Sequence, residues 1–98
     1  MSGIEPRVAV LIVNYNAGDA LTRCVESVLS QGRGMRVMIV DNASTDNSAR
    51  SENDLFGRLD NVSVMFNEEN LGFSRAVNQA ANRLQESAYP SLLVLNPD

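Results

Sequence analysis

Short apolar runs alternate along this chain with segments whose apolar residues recur every three or four positions. The runs have strand length and cover residues 7–13, 35–40, 62–66 and 92–95. Nearly continuous apolar runs are typical of parallel strands that are covered on both faces. For the last run, periodicity alone does not distinguish a strand from a buried helix, and its shortness and the stop at Pro97 favour a strand.

A segment with helical spacing follows the first apolar run. The apolar residues of this segment form one helix face and are Leu21, Cys24, Val25, Val28 and Leu29. We expect Asn16 to cap the start of this helix in a capping-box arrangement with Asp19. Gly32 is the expected stop.

Two further helices are predicted. Residues 44–47 are rich in capping side chains and predict a short helix that runs to about Phe56. The segment after Gly72 predicts a helix that ends near Ser87. Its apolar face comprises Phe73, Ala76, Val77, Ala80, Ala81 and Leu84. The order β-α-β-α-β-α-β predicts one α/β domain over residues 1–98, a Rossmann-like parallel sheet with helices on both faces.

Composition excludes several function classes. The net charge of −4, the scattered arginines and the absence of lysine argue against nucleic-acid binding. The chain has no histidine, which excludes Ser-His-Asp triads, Cys-His pairs and histidine-ligated metals. The single cysteine, Cys24, excludes an intramolecular disulfide and a cysteine-based zinc site. A bound metal is therefore expected to be a hard cation with oxygen ligands, Mg²⁺ or Mn²⁺.

No targeting pattern is present in the sequence. The amino terminus lacks a basic stretch followed by an apolar one. No apolar run approaches the roughly 18 residues that span a bilayer. The default expectation is a cytoplasmic location, with attachment to the inner face of the membrane left open for a longer protein.

Polar side chains follow three of the four predicted strands. These groups are Asn14-Tyr15-Asn16, Asp41-Asn42 and Asn96-Pro97-Asp98. Asn and Asp are also common turn residues, so a plain turn is the more frequent explanation for any one group alone. Their joint occurrence on one edge of a parallel sheet favours a ligand site, because ligands bind outside the carboxyl ends of such strands.

The chemistry of these side chains suits a nucleotide. An aspartate at a strand end can accept from the ring N–H of uracil or thymine, and amides can match carbonyls and hydroxyls. We expect Asp41 to face solvent there and to contribute little to packing. A terminal carboxylate such as that of Asp98, if it lies beside a diphosphate, suits a divalent cation. Gly72, before a helix, allows close backbone approach to an anion, although a plain loop glycine is equally consistent.

Five segments together resemble a known family. They are VAVLIVNYN, SVLSQ, IVDNASTDNS, NEENLGFSRAVNQA and LLVLNPD, and they span nearly the whole chain. In this order and spacing they resemble the nucleotide-binding front half of a family-2 glycosyltransferase of GT-A fold. The closing Asn-Pro-Asp resembles rhamnosyltransferase-like members. The resemblance implies strand order 3-2-1-4 and transfer of a sugar, with inversion and assisted by Mg²⁺ or Mn²⁺, from a UDP- or dTDP-sugar to a glycan or lipid-linked glycan acceptor.

The resemblance also implies roles for individual residues. Residues 13–16 would flank the base and ribose, Asp41 with Asn42 beside it would read the pyrimidine, and Asn70 with Gly72 would line the sugar-diphosphate pocket. Asp98 would hold the metal, and Asn96 replaces the first aspartate of the family's Asp-x-Asp. The implied nucleotide-binding residues are Val13, Asn14, Tyr15, Asn16, Asp41, Asn42, Asn70, Gly72 and Asn96.

The position of Asp98 at the end of the chain suggests the truncated front piece of a longer GT-A domain. In the family the general base lies well after the Asp-x-Asp, so no residue here is assigned that role and this piece is expected to be inactive alone. The strand at residues 92–95 would then lie at an open sheet edge, and self-association through it is expected. The alternative function is a Rossmann-like binding or interaction module without transferase chemistry, which a nucleotide-binding panel would distinguish.

Overall fold

A computed structural model describes residues 8–31, 35–51, 59, 61–85 and 91–97 of the chain. Its elements are β1 (Val8–Asn14), α1 (Asp19–Leu29), β2 (Met35–Asp41), β3 (Val62–Phe66), α2 (Phe73–Gln85) and β4 (Ser91–Leu95). Residues 48–51, between β2 and β3, are also helical. No helix in these described ranges is long and apolar enough to cross a membrane.

The four strands form one parallel sheet in the order β3-β2-β1-β4. This confirms the expected order 3-2-1-4. Strand β1 is central, and it pairs with β2 along its whole length, from Val8 opposite Met35 to Asn14 opposite Asp41. The polar ends of β1 and β2 are therefore directly adjacent. On its other side β1 pairs with β4, up to Ile12 opposite Leu95.

Alternate residues of the sheet build two separate apolar cores. On one face Val10 and Ile12 pack with Leu21 and Val25 of α1. On the other face Leu11 packs with residues of β2 and α2 that include Val40, Ala76 and Ala80. Because strand side chains point alternately to opposite faces, the unbroken apolar run of β1 serves both cores. The expectation of helices on both faces is confirmed.

The predicted cap of α1 is wrong. The helix begins at Asp19 with Gly18 as its N-cap, and no side chain in the described ranges makes a capping hydrogen bond to it. The side-chain oxygen of Asn16 instead accepts hydrogen bonds from the backbone N–H groups of Thr45 at 2.7 Å and Asp46 at 3.3 Å. The short amide caps a loop that is distant in sequence, so the local capping rule does not apply to it.

The other helix boundaries differ modestly from expectation. Helix α1 ends at Leu29, with Ser30 as its C-cap, and the expected stop at Gly32 lies outside the described residues. Helical structure after β2 begins at Ser48 rather than at the preceding capping residues, and its predicted end near Phe56 is also outside them. Helix α2 begins at Phe73, as predicted.

Candidate functional site

The carboxyl ends of β1, β2 and β3 are tied together by backbone hydrogen bonds. The N–H of Asn42 donates to the carbonyl of Asn14 at 2.9 Å, and the N–H of Asn67 donates to the carbonyl of Asp41 at 2.8 Å. The polar residues that follow these strands therefore lie on one edge of the sheet, as predicted.

A buried amide–carboxylate pair lies between β1 and β2. Asn14 is 0% exposed and Asp41 is 4% exposed. The Nδ2 of Asn14 donates to Asp41 Oδ1 at 2.8 Å and also lies 2.8 Å from Ser48 Oγ and 3.1 Å from Ser44 Oγ. These three acceptors fix the orientation of the amide. Its oxygen, Oδ1, is buried and has no hydrogen-bond partner among the residues that the structure describes.

The expectation that Asp41 faces solvent and supports little packing is wrong. Besides the bond from Asn14, its carboxylate accepts from the N–H of Ser44 at 3.0 Å and from the hydroxyl of Ser44 at 2.6 Å. The carboxylate is thus buried by the loop that its own hydrogen bonds hold in place. Oδ1 receives two of these bonds and Oδ2 one, so Oδ2 keeps an acceptor position. Recognition of a pyrimidine by Asp41 stays a prediction.

Asp46 joins the loop after β2 to the loop before α1. Its Oδ2 accepts from the N–H of Gly18 at 3.0 Å, and its Oδ1 accepts from the hydroxyl of Ser48 at 2.6 Å and from the N–H of Ser48 at 2.9 Å. The hydrogen bond from the Ser48 hydroxyl is the main cause that lowers the pKa of Asp46 below its usual value, and the backbone bonds lower it further. Sequence reasoning missed Ser44, Asp46 and Ser48 as site residues. The sequence feature that could have indicated them is the segment rich in capping residues after β2, from which only a helix start was predicted.

A crevice of about 190 Å³ opens at the carboxyl edge of the sheet, where the first residue of α2 lies near the end of β1. Strands β2 and β3 are added on one side of β1, whereas β4 is added on its other side. Ligands usually bind in an open α/β sheet at the point where the strand order reverses in this way. The crevice is lined by Val13, Tyr15, Asn42, Asn70, Gly72, Phe73 and Asn96.

Six of the nine predicted nucleotide-binding residues therefore line one crevice. The other three, Asn14, Asn16 and Asp41, do not line it, and they belong to the hydrogen-bonded loops beside it. Phe73 was missed because its position on an apolar helix face suggested a core residue. It is instead 47% exposed.

Asn42 connects the loop before α2 with the residue that follows β3. Its Nδ2 donates to the carbonyl of Gly72 at 3.2 Å, and its Oδ1 accepts from the Nδ2 of Asn67 at 3.0 Å. The N–H of Gly72 donates in turn to Oδ1 of Asn70 at 2.8 Å. Gly72 has a φ of 83°, a left-handed conformation in which glycine avoids steric cost. The crevice wall therefore depends on this glycine.

A second cavity of about 120 Å³ lies at the same edge, towards β3. Asp41, Arg50, Phe66 and Asn67 are among its lining residues. The guanidinium of Arg50 lies over the Phe66 ring, 5.7 Å from its centroid, within the range of a cation–π interaction. Asp41 therefore contacts this second cavity rather than the crevice of Tyr15.

The predicted metal ligand, Asp98, lies outside the described residues. Among the residues that the structure describes, no group of three or more His, Cys, Asp or Glu side chains could hold a metal ion. Asn96, which replaces the first aspartate of the motif, follows β4 and lines the crevice. The first residue of the Asn-Pro-Asp motif thus lies at the crevice, where the nucleotide is predicted to bind.

Several known proteins are similar to this chain. The succinoglycan biosynthesis protein ExoU of Rhizobium meliloti (strain 1021) is 36% identical over 94 residues, which cover 93% of this chain and 26% of that protein. The putative teichuronic acid biosynthesis glycosyltransferase TuaG of Bacillus subtilis (strain 168) is 36% identical over 87 residues, which cover 87% of this chain and 34% of that protein. The chain thus spans about a quarter to a third of the length of these two relatives.

A solved structure and a family model complete the comparison. The mannosyltransferase PcManGT from Pyrobaculum calidifontis, solved in complex with GDP-Man and Mn²⁺, superposes with a TM-score of 0.71 at 22% identity, over 82% of this chain and 25% of that one. This similarity shows the shared GT-A fold. The model of Glycosyl transferase family 2 matches residues 9–94. The chain therefore belongs to glycosyl transferase family 2.

Proposed function

We propose that this chain forms the donor-binding part of a glycosyltransferase that uses a UDP- or dTDP-sugar. One observation carries the proposal: a single crevice at the switch point of the sheet gathers six of the residues that the family resemblance assigns to the nucleotide.

Tyr15 and the crevice amides supply complementary contacts for a nucleotide. Tyr15 is 49% exposed, so about half of its surface is available for contact with a base. The amides of Asn42, Asn70 and Asn96 offer donors and acceptors to base carbonyls and ribose hydroxyls. In this proposal Asn42 reads the pyrimidine from within the crevice. Asp41 lines the neighbouring cavity, so its contact with the pyrimidine requires the base to extend from the crevice towards that cavity.

A pair of aromatic substitutions tests which cavity holds the base. Tyr15 and Phe66 are 49% and 47% exposed and lie at the same sheet edge, but only Tyr15 lines the crevice. Stacking of a base on an aromatic ring contributes about 1–3 kcal/mol. By calorimetry with UDP, dTDP and GDP in the presence of Mn²⁺, we expect Tyr15→Ala to lose about tenfold or more in UDP affinity. Phe66→Ala should stay within about twofold of the unmodified chain.

The opposite result would relocate the site. If Phe66→Ala lost the affinity and Tyr15→Ala did not, the base would bind in the cavity that Asp41 and Arg50 line. If the unmodified chain bound none of the three nucleotides, the chain would act as a module without a donor site. Preference for GDP over UDP and dTDP would retain the crevice and overturn the pyrimidine assignment.

Asn96 and Asp98 fit a divalent cation in their chemistry. Both carry hard oxygen ligands, and Mg²⁺ commonly binds through one or two protein carboxylates together with substrate phosphates. A metal ion held there would neutralise the charge of the diphosphate leaving group. Asn96 brings no charge, so we expect metal affinity without nucleotide to be weak. Mg²⁺ or Mn²⁺ should strengthen UDP binding, and Asp98→Asn should remove that increment.

The remaining features belong to the longer protein that the relatives indicate. An inverting transfer needs a general base that removes the proton from the acceptor hydroxyl, and we assign no residue of this chain to that role. We propose a glycan or lipid-linked glycan as acceptor, transfer of a hexosyl group of rhamnosyltransferase-like type, and action on the cytoplasmic side of the membrane. The chain by itself is expected to bind donor without turnover.

A further inference from the structure

The residues on either side of Tyr15 are both anchored to the loop after β2. On its amino side, Asn14 donates through Nδ2 to Asp41 at 2.8 Å, at the base of that loop. On its carboxyl side, the N–H of Asn16 donates to Ser44 Oγ at 2.9 Å. Tyr15 itself projects from between these anchors and remains half exposed in the crevice.

The side chain of Asn16 forms a further connection, to the backbone of the loop after β2. Its Oδ1 accepts from the N–H of Thr45 at 2.7 Å and from the N–H of Asp46 at 3.3 Å. Asn16 has a φ of 51°, in the left-handed region that asparagine tolerates better than most residues. Asn16 therefore has the left-handed backbone conformation that follows Tyr15, and its side chain is also the acceptor that holds the opposing loop.

We propose that Asn16 is a positioning residue, which holds Tyr15 in the orientation required to stack on the nucleotide. This inference rests on the proposed nucleotide site. Without the acceptor of Asn16, the two loops retain the bonds from the N–H of Asn16 to Ser44 and from the N–H of Gly18 to Asp46. They lose the bonds that the backbone N–H groups of Thr45 and Asp46 donate to Asn16. Tyr15 then samples more orientations, and the ligand must order it on binding. The loss of affinity follows because ordering a side chain and its loop opposes association.

Three substitutions separate the acceptor of Asn16 from its backbone conformation. Asn16→Gly keeps the left-handed conformation and removes the acceptor. Asn16→Asp keeps an acceptor at nearly the same position. Asn47→Gly is the matched control, because Asn47 also has a left-handed φ, 64°. Within the described part of the chain, its side chain makes no hydrogen bond to the loop of Tyr15.

The orientation of Tyr15 can be followed without a ligand. The chain contains two tyrosines and no tryptophan, so Tyr89→Phe leaves Tyr15 as the only strong fluorophore. In this background we expect Asn16→Gly to lower the residual anisotropy of Tyr15 fluorescence clearly below that of the parent. Asn16→Asp and Asn47→Gly should retain the parent value. By calorimetry, UDP affinity should fall about tenfold in Asn16→Gly and stay within about threefold in the other two.

The outcomes distinguish this inference from the proposed function. Unchanged anisotropy in Asn16→Gly would overturn the positioning role, whatever the chain binds. Altered anisotropy in a chain that binds no nucleotide would contradict the proposed function and leave the ordering of Tyr15 established. If Asn16→Gly failed to fold while Asn16→Asp and Asn47→Gly folded, the acceptor would serve the fold in general, and the positioning role would be rejected.

Discussion

Replacing Asp41 with asparagine should destabilise the fold. The carboxylate accepts from two separate anchors, Asn14 Nδ2 on Oδ1 and the N–H of Ser44 on Oδ2. In Asp41→Asn one of these acceptors becomes an NH₂ group that faces a donor, whichever way the new amide is turned. At a site only 4% exposed, water has little access to relieve this conflict.

The magnitude follows from the hydrogen bonds that are affected. A hydrogen bond to a charged group contributes about 1.5–3 kcal/mol, and a buried donor left without an acceptor costs about 1–3 kcal/mol. Because one anchor is preserved, we expect a total loss of about 2–3 kcal/mol in the free energy of unfolding. For a domain of this size that loss lowers Tm by roughly 10–20 °C.

Urea unfolding monitored by circular dichroism measures this loss directly. The matched control is Glu69→Gln, the same change of a carboxylate to an amide at an exposed position, where we expect a change within about 0.5 kcal/mol. An Asp41→Asn protein as stable as the control would refute the account of Asp41 as a buried anchor. It would indicate instead that the Asp41 side chain does not stabilise the fold and is available to a ligand.

The remaining predictions concern the loop after β2 and the sheet edge. Because hydrogen bonding lowers the pKa of Asp46 in the folded state, its stabilisation is present above the ordinary carboxyl pKa and is lost as pH falls through the folded value. The stability difference between the unmodified chain and Asp46→Asn should therefore shrink below about pH 4 in urea titrations, and a constant difference would contradict this. Ala43 has a φ of 62°, so Ala43→Gly should raise the unfolding free energy by about 0.5–1 kcal/mol, whereas the helical control Ala20→Gly should lower it by a similar amount. Strand β4 pairs only with β1 among the described strands and carries no charge, so light scattering should show self-association that Leu93→Lys reduces; a monomer at all concentrations would contradict it.

The elements and their arrangement could be predicted because they depend on repeating local patterns. Continuous apolar runs predicted strands that are covered on both faces, and β1 contributes residues to both cores. The strand order came from the family resemblance and not from periodicity. The crevice residues were predictable for a related reason, since parallel strands present their carboxyl ends on one edge.

The hydrogen-bonded loops could not be predicted in the same way. Asn16 was assigned to the nearest helix start, but its acceptor binds backbone N–H groups 29 and 30 positions later. The burial of Asp41 likewise depends on Ser44 folding back over it. Short polar side chains of this kind can form hydrogen bonds with several alternative partners, and only the tertiary structure determines which partner is used.

An NMR titration of the isotopically labelled chain with UDP and Mg²⁺ tests the central claim most directly. The account predicts saturable shifts of the amide signals of Tyr15, Asn42 and Gly72, which surround the crevice. The amide of Asn61, at the opposite edge before β3, should not shift. Saturable shifts centred on Asn61, or no saturable shifts at all, would contradict a nucleotide site at the carboxyl edge of this sheet.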